Sequence, residues 1–269
     1  MEKKDIIEEF DYGSTDEFTE HYAKQSLSDS SLGRMQGILD CCVRWRKKTI
    51  GKVDVLRVAD IACNTGELGR MWAKEGHKVY GIDINEPLLD IAKQRAAKEG
   101  VTIEYTLGSA TDLPWEDESM DICVVPELLE HVVEWRKCLD EFTRILKPNG
   151  LLYISTTNKL CPKQQEFDLP LYSWYPNVIK LYFENLAVTT HPHIAGYAKY
   201  PAVNWFSFYQ LRDYLSQKGM VTYDTFDIMN SESKSTYQKI IINGIKKYMF
   251  LRFLGHVLTP SLTLISVKN

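Results

Sequence analysis

The chain has 269 residues, 44% hydrophobic and 25% charged, with a formal net charge of -4; this supports a sizeable core and gives no electrostatic reason to bind nucleic acid, which favours a basic face. No apolar run is long enough to span a bilayer and no cleavable apolar leader follows Met1-Glu2-Lys3-Lys4-Asp5, so a cytoplasmic protein is expected. Six cysteines, at 41, 42, 63, 123, 138 and 161, show no C-x-x-C or Cys/His metal spacing and read as reduced thiols.

Residues 1–52 precede the first strand pattern and contain Tyr12, Tyr22, Arg34, Trp45 and Arg46. Val55–Ala62 is short, apolar and β-branched, the pattern of a strand covered on both faces. The chain turns through Asn64-Thr65-Gly66 and enters a helical pattern over Leu68–Glu75. Small residues at such a turn let backbone amides approach a ligand, and the helix amino end adds partial positive charge. Strands are then expected at Lys78–Asp83, Thr102–Leu107, Asp121–Pro126 and Gly150–Thr156, alternating with helices at Pro87–Glu99 and Val133–Leu146. That alternation argues a doubly wound α/β sheet. A capped helix from Ser207 ends at Gly219, and Met220–Ile228 and Ser261–Val267 read as final strands. The whole is expected to be one domain, 1–269, with insertions at 158–206 and 231–259.

Asp83, closing the second strand, stands where a carboxylate accepts hydrogen bonds from a ribose diol. A nicotinamide dinucleotide normally needs G-x-G-x-x-G so that its pyrophosphate can lie against the turn. Here Ala62 and Asn64 occupy the first two glycine positions, and Asp60 lies inside the strand, where a buried carboxylate suits a cationic ligand better than a phosphate. Val58-Ala59-Asp60-Ile61-Ala62-Cys63-Asn64-Thr65-Gly66 thus resembles the first motif of the class I methyltransferases that use S-adenosylmethionine.

The resemblance continues in order over roughly Asp54 to Thr157. Gly108-Ser109-Ala110-Thr111-Asp112-Leu113-Pro114-Trp115 is similar to the family's adenine-side G-D-A-x-x-L-P-F loop. Met120–Val132 matches its fourth strand and L-E-H-V continuation, and Leu146-Lys147-Pro148-Asn149-Gly150 its L-K-P-G-G turn. The branch most resembled acts on small molecules and includes the ubiquinone-type O-methyltransferases. The resemblance implies a seven-stranded Rossmann-like sheet with an antiparallel last strand, S-adenosylmethionine as cofactor, and a binding set of Asp60, Ala62, Asn64, Gly66, Asp83, Ile84, Ser109, Ala110, Thr111, Pro126 and Glu127. It also implies an arginine from the amino-terminal lid, taken as Arg34, on the methionyl carboxylate. Ala62, Asn64 and Ser109 depart from the pattern and predict weaker cofactor binding, not its loss.

Outside this scaffold, residues 158–206 are rich in Tyr and Trp, including Tyr172, Trp174, Tyr175, Tyr182, Tyr197, Tyr200 and Trp205, with His191 and His193 between them. This cap either binds a partly apolar or aromatic acceptor or packs its own core. Residues 235–258 repeat apolar positions at helical spacing with Lys239, Lys246, Lys247 and Arg252 on another face. Such a segment is expected to dock on the sheet or on a homodimer partner; the alternatives are peripheral contact with an anionic membrane surface and a cover over a lipophilic substrate.

Methyl transfer from a sulfonium is an in-line displacement that depends mainly on positioning, and a hydroxyl acceptor benefits from loss of its proton. His131 is the candidate base, the alternative being that Glu130-His131 only orders the loop; His191 and His193 come second. Glu127, Glu130 and His131 resemble a divalent-ion arrangement of some branches, but no metal is assigned. The expected reaction is O-methylation of a small molecule. Transfer to nitrogen or carbon, or an inactive cofactor-binding scaffold of a biosynthetic complex, are the alternatives.

Overall fold

The computed structural model describes residues 16–51, 54–163, 167, 169–191, 202–229 and 235–269. Tyr12, His193, Tyr197 and Tyr200 lie outside these residues. Seven strands, β1 (Arg57–Ile61), β2 (Lys78–Asp83), β3 (Ile103–Leu107), β4 (Met120–Pro126), β5 (Leu146–Thr157), β6 (Met220–Asp224) and β7 (Ser261–Lys268), form one mixed sheet. Their order is β3-β2-β1-β4-β5-β7-β6, and the final strands are antiparallel. β1, β2 and β4 are buried almost end to end, as strands covered on both faces must be. Among the described residues no helix is long and apolar enough to cross a membrane.

The chain divides into two compact units. The first comprises described residues of 9–126, 134–153 and 267–269. It holds α1 (Asp16–Gln25), α2 (Asp29–Ile50), α3 (Glu67–Lys74), α4 (Glu86–Glu99) and α5 (Trp135–Ile145). The described part of the lid is therefore helical. Ser28 caps α2 by accepting from the Ser31 amide, and Gly51 ends it in the left-handed region at φ 82°, where other residues are strained. Ile38, Leu39, Cys42 and Trp45 form the buried stripe of α2. Arg46 pairs with Asp121 at 3.4 Å, and Asp121 also accepts from Lys147 at 3.0 Å and from the Arg57 amide at 2.8 Å. These bonds tie the lid helix to the start of β1.

The second unit comprises described residues of 127–133 and 154–266. It holds a 3-10 turn at Tyr172–Trp174, then α6 (Asn177–Thr189), α7 (Phe208–Gln217), α8 (Thr225–Ile228), α9 (Thr236–Lys247) and α10 (Met249–Leu258). Two expectations are corrected here. Met220–Ile228 is not one strand: β6 stops at Asp224, whose carboxylate accepts from the amides of Phe226 and Asp227 in a capping box and starts α8. The segment 235–258 is two helices broken at Tyr248, whose backbone is extended at φ -110° and ψ 117°. All six cysteines are free and buried.

Candidate functional site

In the first unit, register aligns Asp60 with Gly81 on one side and Val124 on the other, so the ends of β1 and β2 lie together. The chain leaves β1 through three left-handed residues, Ala62 (φ 55°), Asn64 (φ 52°) and Gly66 (φ 78°). Gly66 is required twice over. Besides its positive φ, an added Cβ would fall on the Tyr105 hydroxyl and within 2.9 Å of the Ala92 Cβ. Ala62 and Asn64 hold left-handed backbone without being glycine, at a cost of about 1–2 kcal/mol for a residue such as alanine.

Asp83 holds this loop. Its Oδ2 accepts from the Asn64 amide at 2.8 Å and its Oδ1 from the Asn85 amide at 2.9 Å. Burial raises its pKa, and those backbone bonds oppose the rise. Each carboxylate oxygen retains a second lone pair, enough to accept one hydroxyl apiece. Beyond it, Ile84 is 70% exposed, an apolar side chain available to a flat ring. Gly108 donates to the Asp83 carbonyl at 2.9 Å, which brings the next loop alongside. There Ser109 Oγ and Thr111 Oγ1 lie 2.8 Å apart, flanking Ala110, and the Thr111 amide donates to Ser109 Oγ at 3.2 Å.

Asp60 carries the electrostatic signal. It is 2% exposed and its Oδ2 has no hydrogen-bond partner. Burial lifts its pKa to about 7, against a lowering bond from the Gly69 amide, and the charges of Asp83 and Glu67 push the same way as burial. A buried carboxylate with one orphaned oxygen, near other acids, is a site short of a cation.

Sequence reasoning missed the support of this loop. Glu67 accepts from Thr65 Oγ1 at 2.6 Å, pairs with Arg95, and lies 3.4 Å from Arg70. Arg95 also donates to Ser26 Oγ at 3.1 Å and to the Ala23 carbonyl at 2.7 Å, and Thr65 Oγ1 lies 3.0 Å from Ser26 Oγ. The lid is thus fastened to the turn by Arg95 and Ser26. Thr65 lies within the quoted motif and Glu67 adjoins it, so both were legible in principle, whereas Ser26 and Arg95 carry no local signal. Arg34 is exposed on α2. Pro126 ends β4, partly buried.

The remaining candidates belong to the second unit. Glu127 has φ 50°, its amide donates to the Ser155 carbonyl at 2.9 Å, and its Oε1 accepts from Ser155 Oγ at 2.7 Å. Glu130 is fully buried and accepts from Thr156 Oγ1 at 2.8 Å. His131 is partly buried in a turn ahead of α5, its amide bonded to the Leu128 carbonyl at 2.9 Å. Asn204 pins that turn by donating to the carbonyls of Leu129 and Val132 at 3.2 and 2.6 Å. Among the described residues no three His, Cys, Asp or Glu side chains are grouped to hold a metal ion.

The cap packs a core of its own from Phe167, Tyr172 and Ala187, with Tyr175 and Phe183 against it. Phe167 and Tyr172 stack at 4.3 Å. Trp174 and Tyr182 stay exposed. His191 Nδ1 lies 2.8 Å from Thr190 Oγ1.

Residues 59–154 match a family model described as a methyltransferase domain. The chain is 33% identical over 146 residues to a demethylmenaquinone methyltransferase of Clavibacter sepedonicus, covering 52% of this chain and 59% of that one. It is also 33% identical over 119 residues to a ubiquinone biosynthesis O-methyltransferase of Leptothrix cholodnii, covering 44% and 51%. The chain thus spans between half and three fifths of the length of these curated relatives. An S-adenosylmethionine-dependent methyltransferase from Mesorhizobium loti superposes with a TM-score of 0.55 at 15% identity, over 85% of this chain and 98% of that one. A phosphoethanolamine-type N-methyltransferase of Haemonchus contortus, solved with S-adenosylhomocysteine, gives 0.53 at 16% identity, over 91% and 58%. At such identities these two likenesses establish the fold.

Proposed function

We propose, on the premise that residues 59–154 form a class I S-adenosylmethionine-dependent methyltransferase domain, that this protein methylates a small, partly apolar or aromatic acceptor, at a hydroxyl oxygen. The observation that carries the cofactor assignment is the pairing of Asp83, braced by two backbone amides, with the orphaned Asp60. In this reading Asp83 accepts the ribose hydroxyls, Ile84 covers one face of adenine, and Ser109, Ala110 and Thr111 line its edge. Ala62, Asn64 and Gly66 offer backbone, Pro126 and Glu127 follow the fourth strand, and Arg34 meets the methionyl carboxylate. The bound sulfonium supplies an electrophilic methyl group. His131 takes the acceptor's hydroxyl proton as the new bond forms, a role suited to an imidazole at neutral pH. Relatives named for O- and C-methylation both support a methyltransferase acting in quinone-type chemistry. Incubation with the donor and panels of phenols, enols and amines, read by mass spectrometry, tests the choice: O-methylated phenol is expected, and product confined to carbon or nitrogen would reassign the acceptor atom. Cofactor binding without any product would favour the scaffold.

Asp60 makes a separate prediction. With its pKa near 7 in the free protein, part of the population is protonated at neutral pH, and a cationic ammonium or sulfonium nearby lowers that pKa. Binding of S-adenosylhomocysteine at pH 7 should therefore release protons. Calorimetry in buffers of different ionisation enthalpy reads this directly, and Asp60→Asn should abolish the buffer dependence.

The helices α9 and α10 expose Tyr237, Ile240, Ile241, Tyr248, Met249, Phe250, Phe253 and Leu258, flanked by Lys239, Lys246 and Lys247. An apolar face edged by lysines matches the surface of an anionic bilayer. We assign it peripheral contact with such a surface. Flotation with phosphatidylglycerol vesicles should carry the protein upward and Phe250→Glu should leave it below; wild-type protein left below, forming a dimer in sedimentation, would assign the face to a second copy.

A further inference from the structure

We propose that the cap unit binds a carboxylate-bearing small molecule through the ammonium of Lys180. Lys180, on α6, is 3% exposed, yet its Nζ lies over the Trp205 ring at 4.6 Å and, among the described residues, it forms no ion pair. A cation on an aromatic face gains some attraction, but a desolvated ammonium needs an anion as well. The nearby acid, Glu184, is already engaged: Oε1 accepts from Tyr172 Oη at 2.8 Å and Oε2 from the Ala202 amide at 3.1 Å.

Surrounding groups add donors, not acceptors. Lys159 is held beside this position by its amide bond to the Phe206 carbonyl at 2.8 Å, and its own Nζ donates to Gln210 Oε1 at 3.0 Å. The charge of Lys159 reaches Lys180 and, after burial, is the second influence lowering that pKa to about 8. Trp205 Nε1 and Ser173 Oγ are both buried with no hydrogen-bond partner. Trp174, next to Ser173, is tied to the residue after Lys159 by its Nε1 donating to the Leu160 carbonyl at 3.0 Å. Among the described residues, two lysines stand against one glutamate, an excess of one positive charge that suits a monoanionic carboxylate better than a dianionic phosphate. The Trp205 indole beside the Lys180 ammonium suits an aromatic body. Identifying this molecule with the methyl acceptor rests on the transfer reaction proposed above; its binding to the cap does not.

The test uses the full chain, with benzoate and inorganic phosphate as probes and thermal unfolding as the first readout. Benzoate should raise the Tm of the wild type saturably, and its affinity should fall at least about tenfold in Lys180→Met. Without ligand, Lys180→Met should melt no lower than wild type, because an apolar chain of similar volume replaces an unmatched buried charge. Trp205→Phe keeps the ring and loses the N–H, and should weaken benzoate severalfold. No shift with benzoate, an equal shift in wild type and Lys180→Met, or a lower melting point for ligand-free Lys180→Met would each overturn the assignment. Phosphate binding as tightly as benzoate would overturn the choice of a carboxylate. S-adenosylhomocysteine affinity should be unaltered in Lys180→Met. Failure of that nucleoside to bind wild type while benzoate still does removes the methyl-transfer reading and leaves this site standing.

Discussion

Asp83→Ala should weaken S-adenosylhomocysteine binding by at least about a hundredfold. Two hydrogen bonds from a ribose diol to a carboxylate contribute about 1.5–3 kcal/mol each, and every 1.4 kcal/mol is about a factor of ten. A second effect adds to the first, since Asp83 also holds the Asn64 and Asn85 amides at 2.8 and 2.9 Å. Without it the left-handed turn at Ala62 and Asn64 loses its brace, and alanine is poorly suited to that backbone. Asp83→Asn keeps one acceptor oxygen and nearly the same shape, so its loss should be smaller, about tenfold. Calorimetry on folded variants, checked by circular dichroism, reads both. An unchanged dissociation constant in Asp83→Ala would remove the ribose from this position.

Asp224→Ala should destabilise the second unit by about 3 kcal/mol, the low end of the cost of removing one partner from a buried ion pair, because Arg252 keeps its contact with Asp227. Asp224 is fully buried and accepts from Arg252 Nε at 2.6 Å, Arg252 NH2 at 2.8 Å and His256 Nε2 at 2.9 Å. His256 is itself buried, stacked on Phe208 at 5.2 Å, and its carbonyl accepts from Asn158 Nδ2 at 2.8 Å. Arg252 and His256 both stand on α10, so one carboxylate fastens that helix while its apolar face stays exposed. Burial alone would raise the Asp224 pKa; hydrogen bonds from His256 and Arg252 outweigh it and hold the carboxyl well below the usual range. A carboxyl depressed on folding stabilises above its unfolded pKa of about 3.9 and loses that contribution as pH falls through the folded value. Acid unfolding of the wild type should therefore extend below about pH 4, and Asp224→Ala should flatten the pH dependence there. A Tm within a degree of wild type would show that the cluster contributes little.

β2 was legible to the residue, Lys78–Asp83, because a β-branched run is bounded by Gly76 before it and the Asn85 cap after it. The first strand was read too long: Val55 is apolar but 63% exposed, and pairing starts only at Arg57. β6 was read through Ile228 because hydropathy continues there, whereas Asp224 spends its carboxylate on the next turn. The loop chemistry was legible at Asp60, Asp83 and Gly66, each adjacent to a strand end. The bonds that hold the loop were not. Arg95 and Ser26 meet across 69 residues of chain, and only the folded register brings them together. In the cap, an abundance of rings could not reveal which ones pack together; Tyr172 does so by bonding Glu184 twelve positions on. Nothing in the sequence singles out Lys180; its burial against Trp205 does.

The most direct measurement is a calorimetric titration of the purified full chain with S-adenosylhomocysteine and, separately, with NADH. A saturable one-to-one heat with the first, weakened at least about a hundredfold by Asp83→Ala, and none with the second, is the expected result. Silence from the sulfur nucleoside alongside an ordinary binding curve for NADH would contradict the placement of a methyl donor where β1 turns toward β2.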